Sequence, residues 1–157
     1  MADVVFINSG QDPLVPVMEF LDSGEQAAKL WVEDDVEPDY IERLRETMAS
    51  QAPDAPIYVG EVFLGAEQYV FLRTPATIVD ARRLVGFFTA NYDYRDGGVI
   101  EVALGDSVDR AAVDRLLRQA VRDLGLEDEM GASYREGGCL LLDGFPNPAS
   151  GPTRELA

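Results

Sequence analysis

The stretch "IYVGEVFLGAEQYVFLR", residues 57–73, holds two apolar runs separated by Gly65-Ala66. Both runs are rich in β-branched and aromatic residues, which is typical of strands. Glycine at the first central position favours a two-residue type II′ turn. The sequence therefore predicts an antiparallel hairpin of 57–64 with 67–73. An antiparallel pair in mid-chain favours an α+β fold over an all-parallel α/β fold.

Elements on both sides of this hairpin extend the pattern. A strand is predicted over 26–33 from its alternating apolar side chains, although the capping-box spacing of Ser23 and Gln26 leaves a helix there as the alternative. A helix is predicted over 38–52 from its apolar stripe. After the hairpin come a helix over 77–91, which Thr77 is expected to cap with Asp80 at the third position of the capping box, and a strand over 99–104. From 28 to 104 the order is thus β-α-β-β-α-β, which is the split-βαβ order of ferredoxin-like folds.

The two ends of the chain add further elements. "DVVFIN" (3–8) indicates a buried strand, and "LVPVMEFLDSG" (14–24) indicates a short helix. An amphipathic helix is predicted over 107–124, and a last strand over 134–143. We therefore expect an α+β fold, with a single mixed or antiparallel sheet and helices packed on it; an open α/β sandwich is the alternative.

Length and composition fit one domain. The chain has 157 residues, of which 46% are hydrophobic and 27% charged, so it is able to bury a core. We expect residues 1–143 to form a single domain. The last segment, "GFPNPASGPTRELA" (144–157), is rich in proline and glycine and is expected to be a loose tail.

The net charge limits the choice of partner. The chain has 29 acidic and 13 basic residues, a net charge of −16 and a pI of about 4.1. Such a chain repels nucleic-acid phosphates and anionic membranes, so we expect neither as a partner. If the charge selects a partner, that partner is a basic protein; the alternative is that the charge serves solubility alone. Asp3 stands where a signal peptide needs positive charge, so we expect a cytoplasmic protein.

The chain contains no histidine and one cysteine, Cys139. Catalysis by Ser–His–Asp or Cys–His groups is therefore excluded, as are His-ligated metal sites and thiolate clusters. We expect no metal and no cofactor. Acid–base catalysis by carboxylates alone remains possible, but no spacing in the sequence selects a pair, so we expect a protein that is not an enzyme.

The most acidic stretch is "LWVEDDVEPDY" (30–40), which lies between a predicted strand and a predicted helix. A solvated turn explains it, because negative charge before a helix is stabilised by the helix dipole. The alternatives are a contact surface for a basic partner and, less favoured because neighbouring carboxylates diverge, a divalent cation site. The acidic residues of this turn are Glu33, Asp34, Asp35, Glu37 and Asp39.

A second candidate site follows the first predicted strand, at Asn8, Ser9 and Gly10. A hydroxyl and backbone N–H groups at the end of a strand are able to bind a phosphate or carboxylate. The chain has neither a Walker motif nor GxGxxG, and Pro13 and Pro16 are expected to disrupt the start of the next helix. A plain connecting turn is therefore the simpler interpretation.

A third candidate lies on the helix over 107–124, which carries several arginines on an otherwise acidic chain. A solvated helix face with internal ion pairs, such as Asp114 with Arg118, explains them. The alternatives are a face that meets the acidic surface of a second copy and a face that binds an anion. The arginines are Arg110, Arg115, Arg118 and Arg122.

The sequence thus favours a non-catalytic acidic binding or regulatory protein that engages a basic partner, as adaptors, chaperone-like proteins, inhibitors and DNA mimics do. The alternative is a small Asp/Glu/Ser-based enzyme or a small-molecule-binding domain with its site in the loop after the first strand. A concave pocket would favour the alternative. A homodimer is also predicted, through aromatic side chains of the hairpin 57–73 at a sheet edge.

Overall fold

The computed structural model describes residues 4–53, 57–64, 66–92, 99–103, 109–135 and 139–144. These residues form a single seven-stranded mixed sheet and four helices, so the expected α+β class is confirmed. The elements are β1 (Val4–Ile7), α1 (Leu14–Ser23), β2 (Ala27–Val32), α2 (Tyr40–Gln51), β3 (Ile57–Leu64), β4 (Ala66–Arg73), α3 (Ile78–Asn91), β5 (Val99–Ala103), α4 (Arg110–Asp123), β6 (Met130–Arg135) and β7 (Cys139–Gly144).

The strand order in the sheet is β1-β2-β4-β3-β5-β7-β6. β1 and β2 are parallel, and the other neighbours are antiparallel. The predicted hairpin is confirmed as β3 and β4, in a register that runs from Ile57 opposite Arg73 to Leu64 opposite Ala66. Ala66 is therefore already part of β4 rather than of a two-residue turn, and Gly65 lies outside the described residues.

The ferredoxin-like order is not confirmed. β4 lies between β2 and β3, as a split βαβ unit requires. β5, however, pairs with β3, whereas a ferredoxin-like fold has its last strand beside the first strand of the core. The reason is that β1 pairs in parallel with β2 and occupies that position. The hairpin consequently lies inside the sheet, and the prediction that it forms an edge is wrong.

The end of the domain also differs from the prediction. The single strand predicted over 134–143 is replaced by two antiparallel strands, β6 and β7, whose register pairs Met130 with Gly144 and Arg135 with Cys139. The sequence between them contains Gly137-Gly138. A glycine pair favours a tight hairpin and interrupts a continuous strand, and that signal was missed.

Helices cover both faces of the sheet. α1 and α2 pack on one face of its β1-β2-β4-β3 half, around the buried side chains of Phe20, Leu44 and Phe71. α3 and α4 pack on the opposite face, around Phe88 and Leu117. β2, β3 and β4 each contribute side chains to both of these cores, which makes this half of the sheet the buried layer of the domain.

The ends of the helices show which local signals the chain obeys. The predicted cap of α3 is confirmed, since the N–H of Asp80 donates to Thr77 Oγ1 at 3.1 Å. α4 begins at Arg110, later than predicted, where Asp109 Oδ1 accepts from the N–H of Ala112 at 3.1 Å. A short polar side chain that accepts from the first turn satisfies one of its unpaired N–H groups.

The end of α1 is held from another part of the chain. α1 ends before Gly24, whose φ of 71° is readily adopted only by glycine. Arg73, at the end of β4, donates from Nε to Glu25 O at 2.8 Å and from Nη2 to Phe20 O and Leu21 O, both at 3.2 Å. Its guanidinium therefore caps carbonyls at and just after the end of α1 that have no intrahelical N–H partner; Phe20 O also accepts from the hydroxyl of Ser23 at 2.7 Å. None of the described helices is long and apolar enough to cross a bilayer.

Candidate functional site

Because β1 and β2 are parallel, the loops that follow them lie side by side at the carboxyl ends of the two strands. Between these loops lies an open cleft of about 490 Å³. The acidic turn and the loop after the first strand, which the sequence offers as separate sites, are therefore opposite walls of one cleft. Its lining residues are Ser9, Gly10, Gln11, Asp12, Asp35, Val36, Glu37, Tyr40 and Arg43.

The first wall is a compact turn. The N–H of Asn8 donates to Gln11 Oε1 at 3.0 Å, and the N–H of Gln11 donates back to Asn8 O at 3.2 Å. Gly10 has a φ of 76°, which favours glycine at this position. Asn8 therefore stabilises the turn through its backbone hydrogen bonds to Gln11. It is not among the residues that line the cleft, whereas Ser9 and Gly10 are.

The prolines near this wall do not disrupt α1, contrary to the sequence prediction. Pro13 has α-helical angles, with φ −55° and ψ −24°, and Pro16 lies in the first turn. Proline is tolerated there because the first turn has no intrahelical partner for its N–H groups. Asp12 Oδ1 accepts from the N–H of Leu14 at 2.9 Å, which fixes the carboxylate of Asp12 in the lining of the cleft.

The second wall contains two consecutive turns. The N–H of Glu33 donates to Ile7 O at 3.1 Å and so continues the β1–β2 pairing by one residue. The N–H of Val36 then donates to Glu33 O, and the N–H of Tyr40 donates to Glu37 O. Of the five acidic residues of the turn, Asp35 and Glu37 line the cleft.

The remaining acids of the turn lie outside the cleft lining. Glu33, Asp34 and Asp39 are exposed to solvent. Asp39 precedes α2 directly, but its side chain makes no capping hydrogen bond. Asp39 therefore interacts with the dipole of α2 only through its charge and not through a capping hydrogen bond.

Tyr40 is the buried member of the cleft wall. The residue is 3% exposed, and its hydroxyl has no hydrogen-bond partner among the described residues. The guanidinium of Arg43 lies over its ring, 5.5 Å from the centroid. Burial raises the pKa of Tyr40, the charge of Arg43 opposes that rise, and the charge of Asp12 adds to it. The phenol therefore stays neutral, and its donor and acceptor are unused in a buried position of a residue that lines the charged cleft.

The charges of the cleft favour a cation larger than a metal ion. Three carboxylates line it, from Asp12, Asp35 and Glu37, against the single guanidinium of Arg43. No group of three or more Asp, Glu, Cys or His residues within the described ranges could hold a metal ion, so these carboxylates do not converge on one point. Separated carboxylates suit the several N–H groups of a guanidinium or an alkylammonium. The excess of negative charge opposes a phosphate or carboxylate ligand.

The arginine-bearing face of α4 is far from this cleft, because α4 packs over the β6 end of the sheet. The predicted ion pair is confirmed, with Arg118 Nε 2.8 Å from Asp114 Oδ2. Arg122 donates to Gln119 Oε1 at 2.8 Å, and Arg115 is exposed. Arg110, also predicted as a member of this face, is half-buried at the start of α4.

Sequence reasoning missed five of the nine residues that line the cleft: Gln11, Asp12, Val36, Tyr40 and Arg43. Tyr40 falls in the apolar stripe of α2 and is indistinguishable there from a core residue. The predicted order of strand, helix and strand over residues 3–33 was the available signal, because such a unit favours parallel pairing of its two strands and so brings the loops after them together. Comparisons of this chain with protein-family models, curated proteins and solved structures give no match.

Proposed function

We propose that this chain is a non-catalytic, cytoplasmic binding protein that accepts a basic side chain of a partner protein in the cleft between the loops after β1 and β2. The observation that carries the proposal is the cleft itself: it is concave, it has an excess of carboxylates, and a buried hydroxyl without a partner lies in its wall. A net charge of −16 attracts a basic partner at long range, and the cleft supplies the contact at short range.

The role of Tyr40 follows from its burial. An unpaired buried hydroxyl is unfavourable, because the group has given up its hydrogen bonds to water. A guanidinium or ammonium that displaces Arg43 from above the ring is able to pair with this hydroxyl and with the carboxylate of Asp12. Binding would then relieve a cost that the free protein carries.

The concavity of the cleft also supports a second candidate, a domain that binds a small basic molecule or an enzyme that acts on one. Ser9 lines the same cleft and supplies a hydroxyl beside the carboxylates. The two candidates differ in the ligand. A small molecule would need contacts in the cleft alone, whereas a partner protein would also contact the surface around the cleft.

The test measures binding of an arginine-rich peptide by isothermal titration calorimetry. Asp35→Asn with Glu37→Gln removes two exposed cleft carboxylates and is expected to weaken binding about twofold to thirtyfold, from roughly 0.2–1 kcal/mol for each exposed charge pair. Glu33→Gln with Asp34→Asn changes the net charge equally, in the same turn but outside the cleft, and should weaken binding by less than about twofold. Equal losses in both variants would reduce the interaction to bulk charge and refute the cleft.

Tyr40→Phe distinguishes a binding role of the Tyr40 hydroxyl from a purely structural one. Removing a buried hydroxyl without a partner should leave the fold as stable or more stable. Binding should nevertheless weaken, by roughly threefold to tenfold, because the ligand loses one hydrogen bond. Agmatine, a free guanidinium compound, separates the candidates: binding as tight as that of the peptide would favour the small-molecule function.

A further inference from the structure

Arg43 lines the cleft beside three carboxylates, yet it forms an ion pair with none of them within the described part of the chain. Asp39 lies four residues earlier, at a spacing that favours an ion pair, and is not its partner either. The guanidinium lies instead over the ring of Tyr40, and it makes no hydrogen bond to a described residue. A group with five N–H donors is therefore available in the cleft for an acceptor that the described residues do not supply.

The turn after β1 contributes further unused donors to the same cleft. Ser9 and Gly10 line it, and neither of their backbone N–H groups donates to an acceptor among the described residues. The sequence offers this turn as a place for a phosphate or carboxylate, and the acidic turn as a place for a cation. In the folded chain the two turns are walls of one cleft, so a single ligand that carries both charges is able to use both.

We propose that the cleft binds a basic amino acid residue with a free α-carboxylate, which is either a free amino acid or the last residue of a partner protein. This inference rests on the proposed function and names its ligand. The basic side chain pairs with the carboxylates of Asp35 and Glu37, and the α-carboxylate pairs with Arg43 and with the donors of the turn after β1. Such a ligand has no net negative charge, so the excess of carboxylates, which opposes a simple anion, does not oppose it.

The size of the cleft and the position of Arg43 suit this ligand. The volume of about 490 Å³ lies within the range of about 300–1,000 Å³ that is typical of small-ligand sites, so one amino acid residue fits into it. Arg43 is exposed, and its side chain is therefore able to leave the Tyr40 ring when a basic group takes that position. A guanidinium then binds a carboxylate through two parallel N–H groups, a geometry that lysine does not offer.

Matched pairs of probes test for the carboxylate by isothermal titration calorimetry. L-arginine is compared with agmatine, which lacks only the α-carboxylate, and a short peptide that ends in arginine is compared with its C-terminal amide. The probe without the carboxylate is attracted more strongly by the bulk charge of the chain. The quantity to compare between variants is therefore the ratio of the two affinities in each pair, from which that attraction cancels.

Arg43→Gln should lower this ratio about twofold to fivefold relative to the wild type, the range for one exposed charge pair. Arg43→Lys keeps the charge but not the fork and should lower it by less. Arg45→Gln changes the same charge on α2, at a residue outside the cleft lining, and should leave the ratio unchanged. Binding of L-arginine as tightly as the peptide acid would assign the free amino acid as the ligand, whereas a tighter peptide acid would assign the end of a partner protein.

An Arg43→Gln ratio equal to that of the wild type in both pairs would overturn the inference, and so would an equal fall in Arg45→Gln. Either result leaves the proposed function standing if Asp35→Asn with Glu37→Gln weakens the binding of agmatine and of the peptide amide. Absence of binding by all four probes to the wild type would refute the proposed function, and this inference with it.

Discussion

Arg73 offers the sharpest test of how this fold is held together, because one side chain joins β4 to the end of α1. Its three hydrogen bonds run to the carbonyls of Phe20, Leu21 and Glu25, and its guanidinium lies 4.9 Å from the ring centroid of Phe20. Burial lowers the pKa of Arg73, and the charge of Arg83 lowers it further. The charge is thus partly removed from water, and the carbonyl contacts must offset that cost. Arg73→Met keeps the aliphatic stem and removes all of them.

The expected loss of unfolding free energy in Arg73→Met depends on which of the hydrogen bonds of Arg73 water is able to replace. A hydrogen bond to a charged group contributes about 1.5–3 kcal/mol, but the carbonyls of Leu21 and Glu25 are on half-buried residues that water reaches. Counting one such bond as fully lost, with about 0.3–1 kcal/mol from the helix dipole and about 0.5–1 kcal/mol from the ring contact, gives a loss of about 2–5 kcal/mol in unfolding free energy. Arg73→Lys keeps the charge but not the fork and should lose an intermediate amount.

Urea unfolding followed by far-ultraviolet circular dichroism measures this loss. Arg83→Met is the matched control, since it changes the same charge near the same helix end. Arg83 is exposed and makes a long 3.4 Å contact to Gly24 O, so its loss should be below about 0.5 kcal/mol. If both variants lose the same free energy within error, Arg73 acts as a surface charge and the capping argument is wrong.

Three further predictions concern an unpaired hydroxyl, a surface ion pair and the net charge. Thr74 Oγ1 is buried without a partner among the described residues, beside a small pocket whose other lining side chains are apolar. Thr74→Val should therefore raise the unfolding free energy by about 1 kcal/mol. Thr89→Val, which removes a hydroxyl that donates to Gly86 O at 3.1 Å, should not. Hydrogen bonds from Arg82 and then Gln119 lower the pKa of Asp123, so their stabilisation is present above the unfolded pKa and is lost as the pH falls through the folded one. The difference in urea midpoint between the wild type and Arg82→Gln should therefore shrink as the pH is lowered below about 4, and a constant difference would contradict this. Raising NaCl from about 0.1 M to about 1 M shortens the Debye length from about 10 Å to about 3 Å and should raise the thermal midpoint, whereas a lower midpoint would show that local ion pairs outweigh the global repulsion.

The sequence by itself determined the local elements of this protein. The hairpin of β3 and β4, the cap of α3 at Thr77 and the end of α1 at Gly24 are all where the patterns predict them. These features depend on contacts between residues a few positions apart, or on the backbone preference of one residue. Local rules therefore suffice for them.

Only the tertiary structure decided which strands are neighbours, and that decision created the cleft. Nothing local distinguishes β1 beside β2 from β5 beside β2, because the choice depends on which arrangement buries the apolar faces of all four helices at once. Parallel pairing of β1 with β2 brings Asp12 to Asp35 and Glu37, places the hydroxyl of Tyr40 beside them, and leaves Phe6 at the edge of the sheet. The acidic residues are visible in the sequence, but their common cleft is a consequence of contacts between segments more than twenty residues apart.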